Sequence, residues 1–424
     1  MSAQSASHSY TSVDQKLARL SPIPFECNLF RVQDHTRRIN VKAYEPEVIA
    51  IGPYHHGKPN LQAMEEHKLR YLLELLIQAQ ESSVERYYMA MRALKDRALK
   101  CYAEPISLTD DEFVEMMLLD GCFLLGYILK CNIPSLVRTG DPITFSQVRF
   151  GMVHDLLLYE NQLPFFIIVQ LFSLINVSYP QFSIMSLTQS FLAQTFGYLK
   201  IEPGVRAWMS IGDVNHLLGL AYCGLCLPFV QMVPHNVGDD GQGVQFINCT
   251  TELQEAGILL KEAKESISFL DVRFTNGVLE IPSFVIEDLT ENFFRNLMTY
   301  EQYCPATSPY VTDYIIFMNR LINSSKDVEL LRRCGIIIDW FGNDVAVHAM
   351  LTNLAKNAMR MGKFSYSEVC KNLHLHCRRR RNVWMANLRR NYLNNPWAII
   401  SFFAAVLLLI LTFTQTVFSI LPQV

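Results

Sequence analysis

The run Ile51-Gly52-Pro53-Tyr54-His55-His56-Gly57 places two adjacent imidazoles and a phenol between glycines. Imidazole titrates near neutrality and ligates metals, so the run would suit acid–base work or an ion. Adjacent side chains on a turn rarely converge on one ion, and the sequence supplies no third ligand. The competing expectation is structural: the turn docks His55 or His56 against a core carboxylate. Asp120 is the candidate, because it lies in the apolar run MMLLDGCFLLGYIL and shares a helical face with Phe113, Met117 and Leu124. A charge on such a face must be paired or protonated. Asp120 is therefore expected to accept hydrogen bonds from the Gly52–His56 turn or from Arg149. The functional alternative is a general acid with a perturbed pKa.

Asp155, Glu160, Asn161 and Gln162 form a second constellation. Two carboxylates flanking a glycosidic bond would hydrolyse it. Five residues on a helix turn through about 500°, leaving the two carboxylates about 140° apart. Capping and buried hydrogen bonds at a helix break are the expected roles instead. Cys223-x-x-Cys226 offers a redox pair or half of a zinc site, with Cys370, His374, His376 and Cys377 as a second cluster. Small apolar cysteines in a core are the plainer expectation. The sequence has no phosphate-binding Gly-x-x-x-x-Gly-Lys-Ser/Thr loop, no Gly-x-Ser-x-Gly elbow and no His-Glu-x-x-His. No catalytic residue, cofactor or metal ligand is assigned.

These residues need elements to hold them. The chain has 424 residues, of which 50% are hydrophobic and 18% charged, against about 25% charged in an ordinary soluble domain. That composition excludes a disordered chain, and a net charge of -3 argues against a nucleic-acid partner. Periodicity predicts a helix over Leu61–Gln80, capped by Asn60, with an apolar stripe of Leu61, Met64, Leu69, Leu72, Leu73 and Leu76. It predicts further helices over Val84–Cys101 and Asp110–Lys130, the latter opened by a Thr109/Glu112 capping box. The apolar block Phe150–Ile175 breaks at Glu160–Pro164. A helix over Thr250–Glu265 precedes a strand over Ser266–Phe274, a type I′ turn at Asn276-Gly277 and a return strand over Val278–Pro282. Helices resume over Val285–Tyr303, Tyr310–Asn323, Asp344–Met361 and Ser365–Tyr392. The expected fold is mainly α, a helical domain with one small β-hairpin and a single C-terminal transmembrane helix.

The two ends differ. Residues 1–24 are polar and Pro-punctuated, and read as a mobile leader without a secretory signal. Residues 397–421 carry no charged side chain and as a helix would reach about 37 Å, enough for a hydrocarbon core of roughly 30 Å. Arg378, Arg379, Arg380, Arg381, Arg389 and Arg390 precede this span. Basic flanks mark the cytosolic side, so the bulk of the chain is expected in the cytosol. The same arginines would pair with anionic headgroups, and Trp397 suits the interfacial belt. Eleven cysteines without a signal favour reduced thiols. Sequons at Asn176, Asn248 and Asn323 would matter only if the bulk were extracellular.

Five ordered blocks resemble a known family. They are AYEPEVIAIGPYHHGKPNLQAMEEHKLRYL (Ala43–Leu72), DEFVEMMLLDGCFLL (Asp111–Leu125), HDLLLYENQLPFFIIVQLF (His154–Phe172), CTTELQEAGILLK (Cys249–Lys261) and GNDVAVHAMLTNLAK (Gly342–Lys356). On these residues the chain is similar to the plant domain-of-unknown-function 247 family, also called UPF0481, over roughly residues 25–421. The resemblance implies a plant protein associated with a membrane, in a family mostly without assigned activity. Some grass members are associated with pollen-side determinants of self-incompatibility. The Gly197–Gly243 stretch departs from the pattern: where many relatives carry a longer polar linker, this chain is apolar and holds Cys223-Gly224-Leu225-Cys226.

The expected organisation is a leader (1–24), a helical family domain (25–370), a basic juxtamembrane helix (371–396) and the span (397–421). The preferred function is a membrane-anchored, non-enzymatic recognition or signalling module that binds another protein, at the plasma membrane rather than an endomembrane. Gly52, Tyr54, His55, His56, Gly57, Asp120, Glu160 and Asn161 are the candidate structural or functional turn. The rivals are a membrane-bound enzyme using those residues and a self-incompatibility determinant.

Overall fold

Apolar periodicity makes this chain helical, and local capping decides where several helices begin. A computed structural model describes residues 28–420 apart from 142–143, 176–178, 196–213, 231–247, 267, 305–306, 341, 357, 359–362 and 379–395. The leader and the arginines from Arg379 to Arg390 therefore lie outside the described residues. The chain divides into two compact units, one centred on Tyr44–Ile184 and one on Gly219–Val424.

The first unit contains α1 (Ala63–Gln78), α2 (Glu85–Leu99), α3 (Asp110–Asn132), α4 (Ser146–Leu156) and α5 (Phe165–Ile175). The Thr109 hydroxyl accepts the Glu112 N–H at 3.3 Å, while the Glu112 carboxylate accepts the Thr109 N–H at 2.8 Å. This reciprocal cap starts α3 where the sequence predicts. The helix is buried on nearly every side from Phe113 to Lys130, as its all-round apolar pattern requires, and it packs against α1, α2 and α5. Gly126 permits the close approach of α1, since a Cβ there would meet Tyr71 Cδ1 at 2.7 Å.

Two details of α1 correct the sequence reading. Asn60 does not cap it: Pro59–Leu61 form a 3-10 turn and the helix starts at Ala63 without a side-chain cap. The buried stripe is Met64, Lys68, Tyr71, Leu72 and Leu75, whereas Leu69 and Leu73 are 53% and 58% exposed. Tyr71 takes the inward position because its ring packs on Phe123 of α3, at 4.8 Å between centroids.

Two further helices follow, α6 (Ile184–Thr195) and α7 (Leu217–Val230). The second unit then adds α8 (Thr250–Glu255), β1 (Leu259–Glu262), β2 (Arg273–Thr275), β3 (Val278–Ile281), β4 (Phe284–Ile286), α9 (Thr290–Tyr303), α10 (Tyr310–Leu321), α11 (Ser325–Arg333), β5 (Ile337–Asp339), α12 (Asp344–Ala355), α13 (Ser367–Arg378) and α14 (Pro396–Ile420). Asn276 and Gly277 have φ of 50° and 80°, the positive pair that a type I′ turn demands. The hairpin is β2–β3, but β1 joins it in parallel beside β3, and β4 pairs with β5 in parallel. The expected helix over Thr250–Glu265 stops at Glu255, because Gly257, at φ 82°, turns the chain into β1. The expected strand over Ser266–Phe274 shrinks because the Ser266 hydroxyl, donating to the Ser268 carbonyl at 2.7 Å, favours a local turn.

The core of this unit is aromatic. The Phe269, Phe284, Phe294 and Tyr314 rings meet edge-on at 5.2–6.0 Å. Glu301 of α9 opens α10, its carboxylate accepting Val311 N–H at 2.7 Å, Thr312 N–H at 2.9 Å and the Thr312 hydroxyl at 2.6 Å. The fold is mainly helical with small sheets. Its C-terminal helix α14 is long and apolar enough to cross a membrane, and none of its apolar stretch Ile400–Ser419 is buried by the protein.

Candidate functional site

The candidate residues meet around Glu47–Gly52, an irregular segment of the first unit that belongs to neither sheet. Lacking a strand partner, its backbone must find other partners. Asp155, in the last turn of α4, accepts Glu47 N–H at 3.0 Å, Val48 N–H at 2.6 Å and Ile49 N–H at 2.8 Å. Asn161, in the break between α4 and α5, accepts Ile51 N–H at 2.7 Å and donates to Ile49 O at 3.0 Å. Asp120 accepts Gly52 N–H at 2.8 Å, and Lys68 donates to Ala50 O at 2.7 Å. Side chains here replace the ladder that a neighbouring strand would supply.

Asp120 and Lys68 are also an ion pair at 2.6 Å, with side chains 1% and 0% exposed. Burial alone would lower the Lys68 ammonium, but the Asp120 and Glu65 carboxylates outweigh it and hold its pKa up. Arg149, the alternative donor to Asp120, is exposed and faces Tyr127 instead. The sequence reading missed Lys68. Its position, four residues from both Met64 and Leu72, places it on the buried stripe, and that spacing is the signal that would have found it.

Glu160 has a different task from Asp155. Its Oε1 accepts Val32 N–H at 2.6 Å and Arg37 Nη2 at 2.5 Å. Its Oε2 faces His55 Nε2 at 3.7 Å and Arg31 at 4.0 Å. The other His55 nitrogen faces Glu45 Oε2 at 3.7 Å, and Glu45 also pairs with Arg37 and Lys58. His55 thus docks among Glu45 and Glu160, while Asp120 serves Gly52. Burial, followed by the nearby Lys58, Arg37 and Arg31 charges, outweighs Glu45 and pushes the His55 pKa down to about 3. The imidazole is neutral at pH 7. Tyr54 donates to Leu29 O at 2.9 Å and also bonds Glu104. His56 is half-buried, and Gly57 is exposed with φ 76°.

Gly52 is fixed by both backbone and space. Its φ is 75°, and a Cβ would collide with the Gln162 carbonyl oxygen. Gln162 is itself occupied, donating to Leu156 O and Leu158 O at 2.8 and 2.9 Å. A small cavity in this unit is lined by Tyr71, Glu74, Gly126 and Lys130 and includes none of the turn residues.

The cysteine clusters do not assemble a metal centre: among the described residues no group of three or more His, Cys, Asp or Glu could hold an ion. Cys226 is buried, and burial pushes its thiol well above the ordinary value; the Cys370 thiol is likewise pushed up to about 12. Neither is a thiolate at pH 7. Arg378 is exposed at the end of α13.

A mainly helical protein, with a segment clamped by buried charge and a long apolar C-terminal helix, is the class these observations define. The chain belongs to the DUF247 family, described as plant protein of unknown function, whose model matches residues 29–411. It is 31% identical to UPF0481 protein At3g47200 of Arabidopsis thaliana over 422 residues, covering 93% of this chain and 86% of that one. It is 20% identical to Putative UPF0481 protein At3g02645 of Arabidopsis thaliana over 498 residues, covering 95% and 92%. No solved structure matches it.

Proposed function

We propose that this protein is held in a membrane by α14, with its body in the cytosol, and works as a non-enzymatic recognition module for another protein. The observation that carries the anchoring is the exposure of α14. Leu407, Leu409, Phe413 and Phe418 are each at least 60% exposed on a helix that the described residues leave uncovered. Lipid is the solvent that such a helix fits, because its backbone is internally bonded and its side chains are apolar. Arg378 and the arginines that follow it in sequence support a cytosolic body, since basic flanks favour the cytosolic side, and would pair with anionic headgroups. The plasma membrane, with its anionic cytosolic leaflet, is the preferred location.

The non-enzymatic reading rests on the turn. His55, Asp120, Glu160 and Asn161 are each 1% exposed, and the carboxylates and amide are engaged by backbone or cations. A catalyst must reach its substrate. A protein partner is supported by Leu69, Leu73 and Ile77, which stand exposed four residues apart on α1, as apolar surface that a partner covers does.

The test is carbonate extraction of plant membranes carrying the full chain or a form lacking residues 397–421. The full chain should stay in the pellet and the truncated form should leave it. Retention of the truncated form, or glycans on Asn176, Asn248 or Asn323, would overturn the topology. Proximity labelling with the same two forms then identifies the partner. Its disappearance on Leu73→Glu is expected.

A further inference from the structure

We infer that Glu301 holds a proton in the folded protein and uses it as a latch. The neutral carboxyl donates to Tyr222 of α7 while it caps α10, and losing the proton as pH rises loosens α7 from α10. This goes beyond the function proposed above and does not depend on the anchor. All the residues concerned belong to the second unit.

Glu301 lies in the last turn of α9 and is buried. Among the described residues no cation pairs with it, whereas the buried Asp120, Asp141 and Glu160 have Lys68, Lys130 and Arg37. Burial without a cation favours the neutral carboxyl. The bonds Glu301 makes suit that form. Its Oε2 accepts two hydrogens, from Thr312 N–H at 2.9 Å and from the Thr312 hydroxyl at 2.6 Å, whereas Oε1 accepts one, from Val311 N–H at 2.7 Å. A carboxylic acid has the same asymmetry. Its carbonyl oxygen offers two lone pairs, and its hydroxyl oxygen gives up one acceptor place to the proton.

Tyr222 fixes where the proton points. Its hydroxyl donates to Ser308 O at 2.5 Å and also lies within hydrogen-bond reach of the Glu301 carboxyl. A phenol has one hydrogen, and here two acceptors face it. With Glu301 ionised, one of them goes unserved in the core, which is costly. With Glu301 neutral, the donors run one way, from Glu301 to Tyr222 to Ser308, and every oxygen is served. This relay ties α7 to the chain that opens α10. The contact is close: the Tyr222 and Tyr300 rings lie 5.2 Å apart, and a Cβ on Gly219 would stand 3.1 Å from the Tyr300 hydroxyl.

The other titratable group that α7 turns toward Glu301 is Cys226, and burial raises both it and Tyr222 well above their ordinary values. On α9 itself, burial pushes the Cys304 thiol up to about 12. The α10 residues in contact, Val311 and Thr312, do not titrate. Glu301 is therefore the group that changes charge near neutrality. Burial lifts it to about 7, against the bonds from Thr312, Val311 and Tyr222. Above that pH the proton passes to water and the relay loses its first donor.

The experiment is amide hydrogen exchange of the full chain in detergent at about pH 6 and about pH 8, corrected for the intrinsic pH dependence of exchange. In the wild type, protection of residues 219–230 and of α10 should both fall about tenfold at the higher pH, as follows from losing a proton held with a midpoint near 7. Glu301→Gln keeps the shape and a donor but cannot ionise, so its protection should be the same at both values. Tyr222→Phe keeps the ring and removes the relay. In that variant α10 should still respond to pH, while residues 219–230 should not. Protection in the wild type that is unchanged or rises with pH would overturn the latch. So would a response of residues 219–230 that survives Tyr222→Phe undiminished. The wild type and Tyr222→Phe decide the matter even where Glu301→Gln does not fold.

Discussion

Both units hold non-helical chain against helices, but they satisfy its backbone by different means. In the second unit, β1, β2 and β3 exchange main-chain hydrogen bonds, and β4 and β5 do the same. In the first, Glu47–Gly52 is held by Asp155, Asn161, Asp120 and Lys68. A main-chain ladder tolerates side-chain change, because every residue type except proline can donate to it. A clamp made of four particular side chains does not, and it leaves carboxylates, an amide and a histidine together in a core. The second arrangement imitates an active site in sequence while doing the work of a strand.

That contrast predicts a graded series, measured by urea unfolding of the full chain in detergent and by local hydrogen exchange. Asp120→Ala should cost most, roughly 3–5 kcal/mol, because it leaves the buried Lys68 ammonium with only Glu65 and the Ala50 carbonyl and leaves the Gly52 N–H without its acceptor. Replacing both partners with apolar residues should recover part of that loss. A single-variant cost below about 1 kcal/mol would mean the pair is not the clamp described here. Gly52→Ala should cost roughly 2–4 kcal/mol, combining a left-handed backbone with a collision against Gln162.

The units should also respond oppositely to pH. Burial pushes His55 and His216 of the first unit down to about 3, from an ordinary 6.5. The unfolded chain takes up these protons below pH 6.5 and the folded chain does not. The stability they support is complete above 6.5 and is lost as pH falls toward 3, by up to about 1.4 kcal/mol per pH unit for each histidine. In the second unit, burial lifts Glu301 to about 7 from an ordinary 4.5, against the bonds it accepts from Thr312 and Val311. The folded chain then keeps a proton that the unfolded chain has released. This contribution is complete below 4.5 and is lost as pH rises through 7. Between pH 5 and 6.5, acidification should speed exchange in the first unit and slow it around α10. Glu301→Gln should abolish the second trend.

Two smaller effects complete the series. Thr109→Ala removes a local cap and should cost about 1 kcal/mol. Thr275→Ala, exposed on the edge strand β2, should change stability by less than about 0.5 kcal/mol. A larger loss there would show that the ladder depends on its side chains too, and the contrast between the units would weaken.

Legibility in the sequence followed the range of the interaction. The Thr109/Glu112 cap, the Asn276-Gly277 turn, the break before Phe165 and the length of α14 are local, and all were readable. The outward turn of Leu69 and Leu73 was not, because the helix phase was decided by Tyr71 meeting Phe123. The strands β1, β4 and β5 were also missed. Each has only three or four residues, too few for alternation to separate a strand from a helix turn.

The sequence alone determined a mainly helical chain with a charged residue inside an apolar helix and a tail suited to lipid, because periodicity, capping and length are written in neighbouring residues. Only the tertiary structure decided what the buried charges do. Asp120 finds Lys68 and Gly52, and Asp155 finds Glu47–Ile49, across spans of the chain that no local pattern records. A buried charge is tolerated only with its partner, and packing chooses the partner.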